Sequence, residues 1–382
     1  MHSCDPLARE QMRTILAPLF ATVQEIEFRN GVIFHGWASE HCEEHRREVE
    51  RGLRQLPGNF CFERLDGSTH LTYTMPGPLA KPVNWLLHAG LFAATVLTTL
   101  AVGTWLHIES FPAELWATLT GRPGSLSLLE FAQLLVTEGG PFSFAILLIL
   151  GSHECGHYVM ARRYGMLVTP PFFLPAPIPP IGTFGAVIRM RSPMLHRRAL
   201  LDIGLAGPLA GLAVALPFLI YGLLHSKFEI VRYWEEGGGL AFGDSALTWA
   251  LSRLLVGAPP PGYALDWLSH PFAWAGWIGL LVTSLNLIPV GQLDGGHVAY
   301  ALVGRRQRVV AFFFIGILVA LGATGWRGWL FWCAIMITLL RIAHPPVVIE
   351  GVPLGTGRKL LAWASVVIFL LVFMPAPVRG IF

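Results

Sequence analysis

The chain has 382 residues, 53% hydrophobic and 13% charged, with a mean hydropathy of +0.55. A soluble domain carries nearer ~25% charged residues, so the composition points to a polytopic membrane protein. A net charge of +3 argues against a nucleic-acid partner. The five cysteines, Cys4, Cys42, Cys61, Cys155 and Cys333, show no CxxC spacing, which suggests reduced thiols and offers no cysteine zinc site.

Residues 1–75 read as a small soluble α+β domain. Arg29-Asn30-Gly31 lies between two short extended stretches, and Asp66-Gly67 lies between two more. Both are hairpin signals. Ser39 opens a charged helix that runs to about Arg54, giving a β-β-α-β-β order. His41 and His45, four apart on that helix, read as a solvated face. Residues 76–82, with three prolines, form a linker.

Seven apolar segments follow, at 83–106, 141–162, 199–223, 271–291, 309–324, 328–343 and 359–375. Each is near the length needed to span a bilayer. The expected fold is an all-α polytopic membrane protein of about seven transmembrane helices, with a membrane-inserted β-hairpin or strand and the small N-terminal α+β domain. Basic residues set its orientation. The connections on one side hold Lys81, Arg162, Arg163, Arg189, Arg191, Arg197, Arg198, Arg305, Arg306, Arg308, Arg341, Arg358 and Lys359. The other side holds Arg122, Lys227, Arg232, Arg253, Arg327 and Arg379, diluted by acidic residues such as Glu109, Glu235 and Asp266. The N-terminus is therefore placed in the cytoplasm.

His153-Glu154-Cys155-Gly156-His157 ends the second apolar segment. Helix positions four apart face the same way, so His153 and His157 can reach one point. Glu154 lies one step round. Two imidazoles and a non-ligating carboxylate are the arrangement of a hydrolytic zinc site, one Zn²⁺ per chain. Ionisable groups in an apolar segment are costly and functional by default. A catalytic zinc takes a third protein ligand. The candidate is Asp294, after the 271–291 segment, where Pro289, Gly291, Gly295 and Gly296 break the helix and turn the carboxylate inward.

Between the second and third segments a proline run precedes Gly182-Thr183-Phe184-Gly185-Ala186-Val187-Ile188. This reads as a strand or hairpin at membrane depth, whose unpaired edge suits an extended peptide. A surface loop dipping into the headgroups is the alternative. Gly207-Pro208-Leu209-Ala210-Gly211 reads as packing and a kink. Asp202 is expected only to cap or to pair with a neighbouring arginine. Residues 224–270 read as an irregular outside loop.

The His153–His157 motif together with Asn286…Pro289…Leu293-Asp294-Gly295 resembles the site-2 protease family of intramembrane zinc metalloproteases. The resemblance covers about residues 83–300 and is closer to the bacterial and chloroplast branch, without a PDZ insert. Residues 301–382 would then be C-terminal transmembrane helices. The resemblance implies His153, His157 and Asp294 as zinc ligands. It implies Glu154 as general base, and Asn286 as holding the substrate strand or the oxyanion. It adds Gly182, Phe184 and Gly185 as the substrate-binding strand. It implies membrane-anchored protein substrates, hydrolysed in or near their transmembrane segments in a bacterial inner membrane. Glu154 would take a proton from the attacking water and pass it to the leaving nitrogen. A polytopic transporter, or a zinc-binding membrane protein, is the alternative, and it predicts internal repeats or several charged spans. An inactive chaperone derived from the family conflicts with the intact Glu154. Homo-oligomerisation stays open.

Overall fold

A computed structural model describes residues 6–77, 82–108, 111–120, 126–177, 180–230, 240–338 and 342–380. Lys81, Arg122, Arg232, Arg341 and the Gly237–Gly239 run lie outside the described residues.

Helix α1 (Pro6–Leu16) leads into strands β1 (Phe20–Phe28) and β2 (Gly31–Ala38), joined by the two-residue turn Arg29-Asn30. Two short helices follow, α2 (Glu40–Glu44) and α3 (Arg46–Leu53). The Ser39 side chain caps α2 by accepting from the Cys42 N–H. Strands β3 (Asn59–Leu65) and β4 (Ser68–Pro76) turn at Asp66-Gly67, where Asp66 has φ of 51°. All four strands make one antiparallel sheet in the order β1-β2-β4-β3. Leu16, Val32, Phe34, Leu53, Leu71 and Tyr73 fill the core beneath it.

Among the described residues, four helical stretches are long and apolar enough to cross a membrane: α4 (Trp85–His107), α6 (Leu128–Arg163), α7 (Arg197–Leu224) and Asp294–Thr324. The short helix α5 (Phe111–Thr120) precedes α6. In each of the four, less than half of the most apolar window is buried within the protein. The remainder is half-buried or exposed. The seven expected segments therefore resolve into elements of unequal length. Pro271–Asn286 has 16 residues, Gly328–Thr338 has 11 and Thr356–Val372 has 17. At 1.5 Å per residue, a helix of 16 residues reaches only about 24 Å, short of a ~30 Å hydrocarbon core.

Helix α6 begins well before the expected start at residue 141. Ser127 and Glu130 form a capping box, in which Ser127 Oγ accepts the Glu130 N–H and the Glu130 carboxylate accepts the Ser127 N–H. Pro141 is carried inside the helix. The 224–270 stretch also holds more structure than a loop. It contains the capped helix Ala246–Leu255 and short strands at 228–230 and 263–265, which pair with each other.

Helices α6, α7 and Pro271–Asn286 pack around Ile146, Ile149, Ala215, Leu219, Trp274 and Ile278. A second apolar cluster, including Leu205, Ile288, Ile315, Trp329 and Phe369, ties the C-terminal helices to α7. Between α6 and α7 runs the hairpin of β5 (Phe172–Pro175) and β6 (Thr183–Val187), antiparallel, with a bulge at Leu174/Pro175. Among the described residues β6 pairs only with β5, so its other edge is unpaired.

The sheet domain sits on the ends of these helices. Asn59 Nδ2 donates to the carbonyls of Arg162 (2.8 Å) and Met166 (3.1 Å), at the C-terminal end of α6. Asn30 Nδ2 donates to the Arg191 carbonyl at 3.1 Å. His196, the N-cap of α7, meets Glu63 at 2.8 Å.

Candidate metal centre

Helix geometry places His153 and His157 one turn apart on the buried side of α6. Their Nε2 atoms lie 3.1 Å apart. Asp294 enters from the start of the Asp294–Val303 helix, and its Oδ2 lies 3.3 Å from each Nε2. A zinc–ligand bond of about 2.0–2.1 Å in a tetrahedral site puts neighbouring donors roughly 3.3–3.4 Å apart. The three side chains already stand at that spacing, so the donor set fits Zn²⁺ in both chemistry and geometry. Among the described residues no other group of three or more His, Cys, Asp or Glu ligand atoms is so placed.

The backbone around the triangle explains how the sequence makes it. His157 Nδ1 lies 2.7 Å from the Ile203 carbonyl on α7, to which it donates. That bond leaves the Nε2 lone pair for a metal and fixes the ring plane. Gly207 lies directly against the His157 ring, and Gly211 lies against His153. Gly207–Gly211, read from sequence as packing, is thus the clearance that admits both imidazoles. On the other side, Gly295 packs on the Leu287 carbonyl and Gly296 on the Gly291 carbonyl. A side chain at either would force apart the tight turn between Asn286 and Asp294. Asp294 also sits in the first turn of its helix, where the dipole favours a carboxylate.

The triangle opens on a cavity of about 970 Å³. Glu154 and Asn286 line it with the three donors, as do Phe184, Gly185, Ile188 and Leu285. Asn286, the last residue of its helix, brings Nδ2 to 3.2 Å from His153 Nε2. Phe184 is 71% exposed and stands at the cavity wall. The structure thus brings together His153, Glu154, His157, Asn286, Asp294, Phe184 and Gly185. Gly182 stands apart: it lies outside the cavity lining, and a Cβ there would meet Thr98 and Thr99 of α4 at 3.0 Å. Its φ of +79° shapes the turn into β6. Sequence reasoning missed Ile203, because a backbone acceptor leaves no side-chain signature.

Residues 141–323 match the family model described as Peptidase family M50. That stretch holds the histidine pair, the hairpin, Gly207, Asn286 and Asp294. That match spans just under half of the chain. The chain is also similar to curated plant proteins. One from Oryza sativa subsp. japonica, named "Probable zinc metalloprotease EGY1, chloroplastic", is 28% identical over 90% of this chain and 62% of its own length. An Arabidopsis thaliana protein, "Probable zinc metalloprotease EGY2, chloroplastic", is 35% identical over 54% of this chain and 37% of its own. An Oryza sativa subsp. indica protein, "Probable zinc metalloprotease EGY3, chloroplastic", is 27% identical over 93% of this chain and 62% of its own. The chain spans less than two thirds of the length of these relatives. No solved structure matches. The M50 family and these names imply zinc, and the donor set described above suits it.

Proposed function

We propose that this chain is an intramembrane zinc metalloprotease that hydrolyses peptide bonds in or near the transmembrane segments of membrane-anchored proteins. The reading rests above all on one observation: three zinc-type donors at tetrahedral spacing form the wall of an apolar cavity at the ends of membrane-length helices. The M50 match and the relatives' names support the same chemistry.

His153, His157 and Asp294 hold the zinc. When bound, the metal supplies Lewis acidity to a carbonyl oxygen and a water at that point. Glu154 takes the water's proton and delivers it to the leaving nitrogen. Glu154 shares the cavity wall with Ile188, just past β6. Asn286 offers its amide to the developing oxyanion or to the substrate strand. A transmembrane helix hides its carbonyls in its own hydrogen bonds, so the substrate unwinds locally. The unpaired edge of β6, with Phe184 and Gly185 at its centre, replaces the lost backbone bonds.

The shorter helices Pro271–Asn286, Gly328–Thr338 and Thr356–Val372 complete a membrane body of about seven segments. Outward-facing Phe331, Leu360, Trp363 and Leu370 support lipid contact for the last two. Residues 1–75 form a separate α+β domain on the basic, cytoplasmic side, and 83–300 form the catalytic core. A bacterial inner membrane is the proposed location, while the named relatives are chloroplastic. The test is metal removal from the purified chain in lipid, with a single-span model substrate. Cleavage ends on chelation and returns with one equivalent of zinc. Cleavage that survives complete zinc removal contradicts the reading.

A further inference from the structure

Arg358 stands at the start of the C-terminal helix Thr356–Val372, outside residues 141–323 that carry the M50 match. Its side chain reaches back to α7. Nε donates to both Asp202 carboxylate oxygens at 3.0 Å, and Nη2 donates to Oδ2 at 2.8 Å. The Tyr164 hydroxyl also donates to Asp202 Oδ2, and it accepts from Arg358 Nη2 at 3.2 Å. Three chain segments thus meet at one carboxylate. The planar guanidinium fits it by two parallel donors, a geometry that a lysine cannot reproduce.

The location of this junction gives it a consequence for the metal site. Tyr164 is the C-cap of α6, seven residues beyond His157. Asp202 precedes Ile203, whose carbonyl holds His157 Nδ1. Gly204, next again, packs on His297 and on the Asp294 carbonyl. A helix moves as a rigid rod over such a distance, so the start of α7 cannot shift without moving the Ile203 carbonyl. We propose that Arg358, acting through Asp202 and Tyr164, is a positioning residue for the zinc ligand His157. The C-terminal helix thereby sets the imidazole plane of the metal site from outside the matched catalytic segment. This inference rests on the zinc reading of His153, His157 and Asp294.

The experiment measures zinc affinity of the purified full chain by chelator competition, well below its melting temperature. It compares the parent with Arg358→Ala, Arg358→Lys, Asp202→Asn and Tyr164→Phe. Losing an outer partner of a ligating histidine weakens metal binding by about 10–100-fold. Arg358→Ala and Asp202→Asn should each fall in that range, and the double variant should lose no more than either alone. Arg358→Lys and Tyr164→Phe, which keep a charge or the ring, should fall between. Unchanged zinc affinity in folded Arg358→Ala, or in Arg358→Lys and Tyr164→Phe if the alanine variant does not fold, overturns the inference. Independent, additive losses would also overturn it. A parent chain that retains no zinc would instead defeat the zinc reading itself.

Discussion

A Cβ at Gly207 would stand 2.0 Å from Nε2 of His157, the atom that points at the metal position. Helix α7 therefore does more than pack against α6, because it leaves a hollow for a ligand. The contact at Gly211 is looser, with a Cβ 3.2 Å from His153 Nδ1. The two glycines should differ in their response to a single methyl group. Gly207→Ala should displace His157 and lower zinc affinity by at least ten-fold, as expected for loss of one ligand's alignment. Gly211→Ala should cost much less. Zinc titration of the two variants checks the order, and equal effects would contradict it.

Asn59 ties the sheet domain to the end of α6. The last carbonyls of any α-helix lack intrahelical donors. Here Asn59 Nδ2 serves Arg162 and, just beyond the helix, Met166. Asn59→Ala removes both bonds, a loss of about 1–3 kcal/mol from the docking at ~1 kcal/mol per bond. Hydrogen exchange should quicken at residues 162–166 while the amides of β2 and β4 keep their protection. Unchanged exchange at 162–166 would show that the domain is not held this way.

Acid should loosen the sheet domain through His35. Burial, reinforced by the nearby His70 and His196, pushes its imidazole down to about 4, while Glu63 opposes the shift. An unfolded histidine titrates near ~6.5, so between these values the unfolded state binds more protons. Stability is full above that window and falls as the pH drops through it. His35 Nδ1 meets Thr72 Oγ1 at 2.8 Å, and the His35 and His70 rings stack 5.3 Å apart, so a charge there has no room to relax. Protection of the β2 and β4 amides from exchange, relative to the unfolded chain at each pH, should fall in the parent from pH 7 to pH 4. It should do so far less in His35→Gln. Equal pH profiles would remove His35 as the cause.

Some of this architecture was legible in the sequence because its signals are local. Asp66-Gly67 carries its own turn chemistry and forms the β3–β4 turn with both residues at positive φ, whereas the β1–β2 turn falls one residue earlier than Asn-Gly, on Arg29-Asn30. The spacing of His153 and His157 is a helix period, so their convergence follows from geometry alone. Asp294 was reachable because membrane depth relates segments far apart in sequence. Other features were not legible, for physical reasons. The true start of α6 hung on a two-residue capping box, Ser127 and Glu130, upstream of the apolar run. The pairing of Asp202 with Arg358 joins residues 156 apart, and nothing in either neighbourhood selects the partner. The Ile203 carbonyl and the clearance at Gly207 are backbone features. A glycine stripe reads alike whether it admits a helix or an imidazole.

The central claim is that Glu154 transfers the proton at a zinc held by His153, His157 and Asp294. Glu154→Gln keeps the shape of the side chain and removes its basicity. The decisive measurement pairs zinc content with cleavage of a single-span substrate in the same preparation of that variant. The account predicts about one zinc per chain and a loss of cleavage of at least ~10²-fold, the usual contribution of a general base. Cleavage at the parent's rate with zinc in place would contradict it.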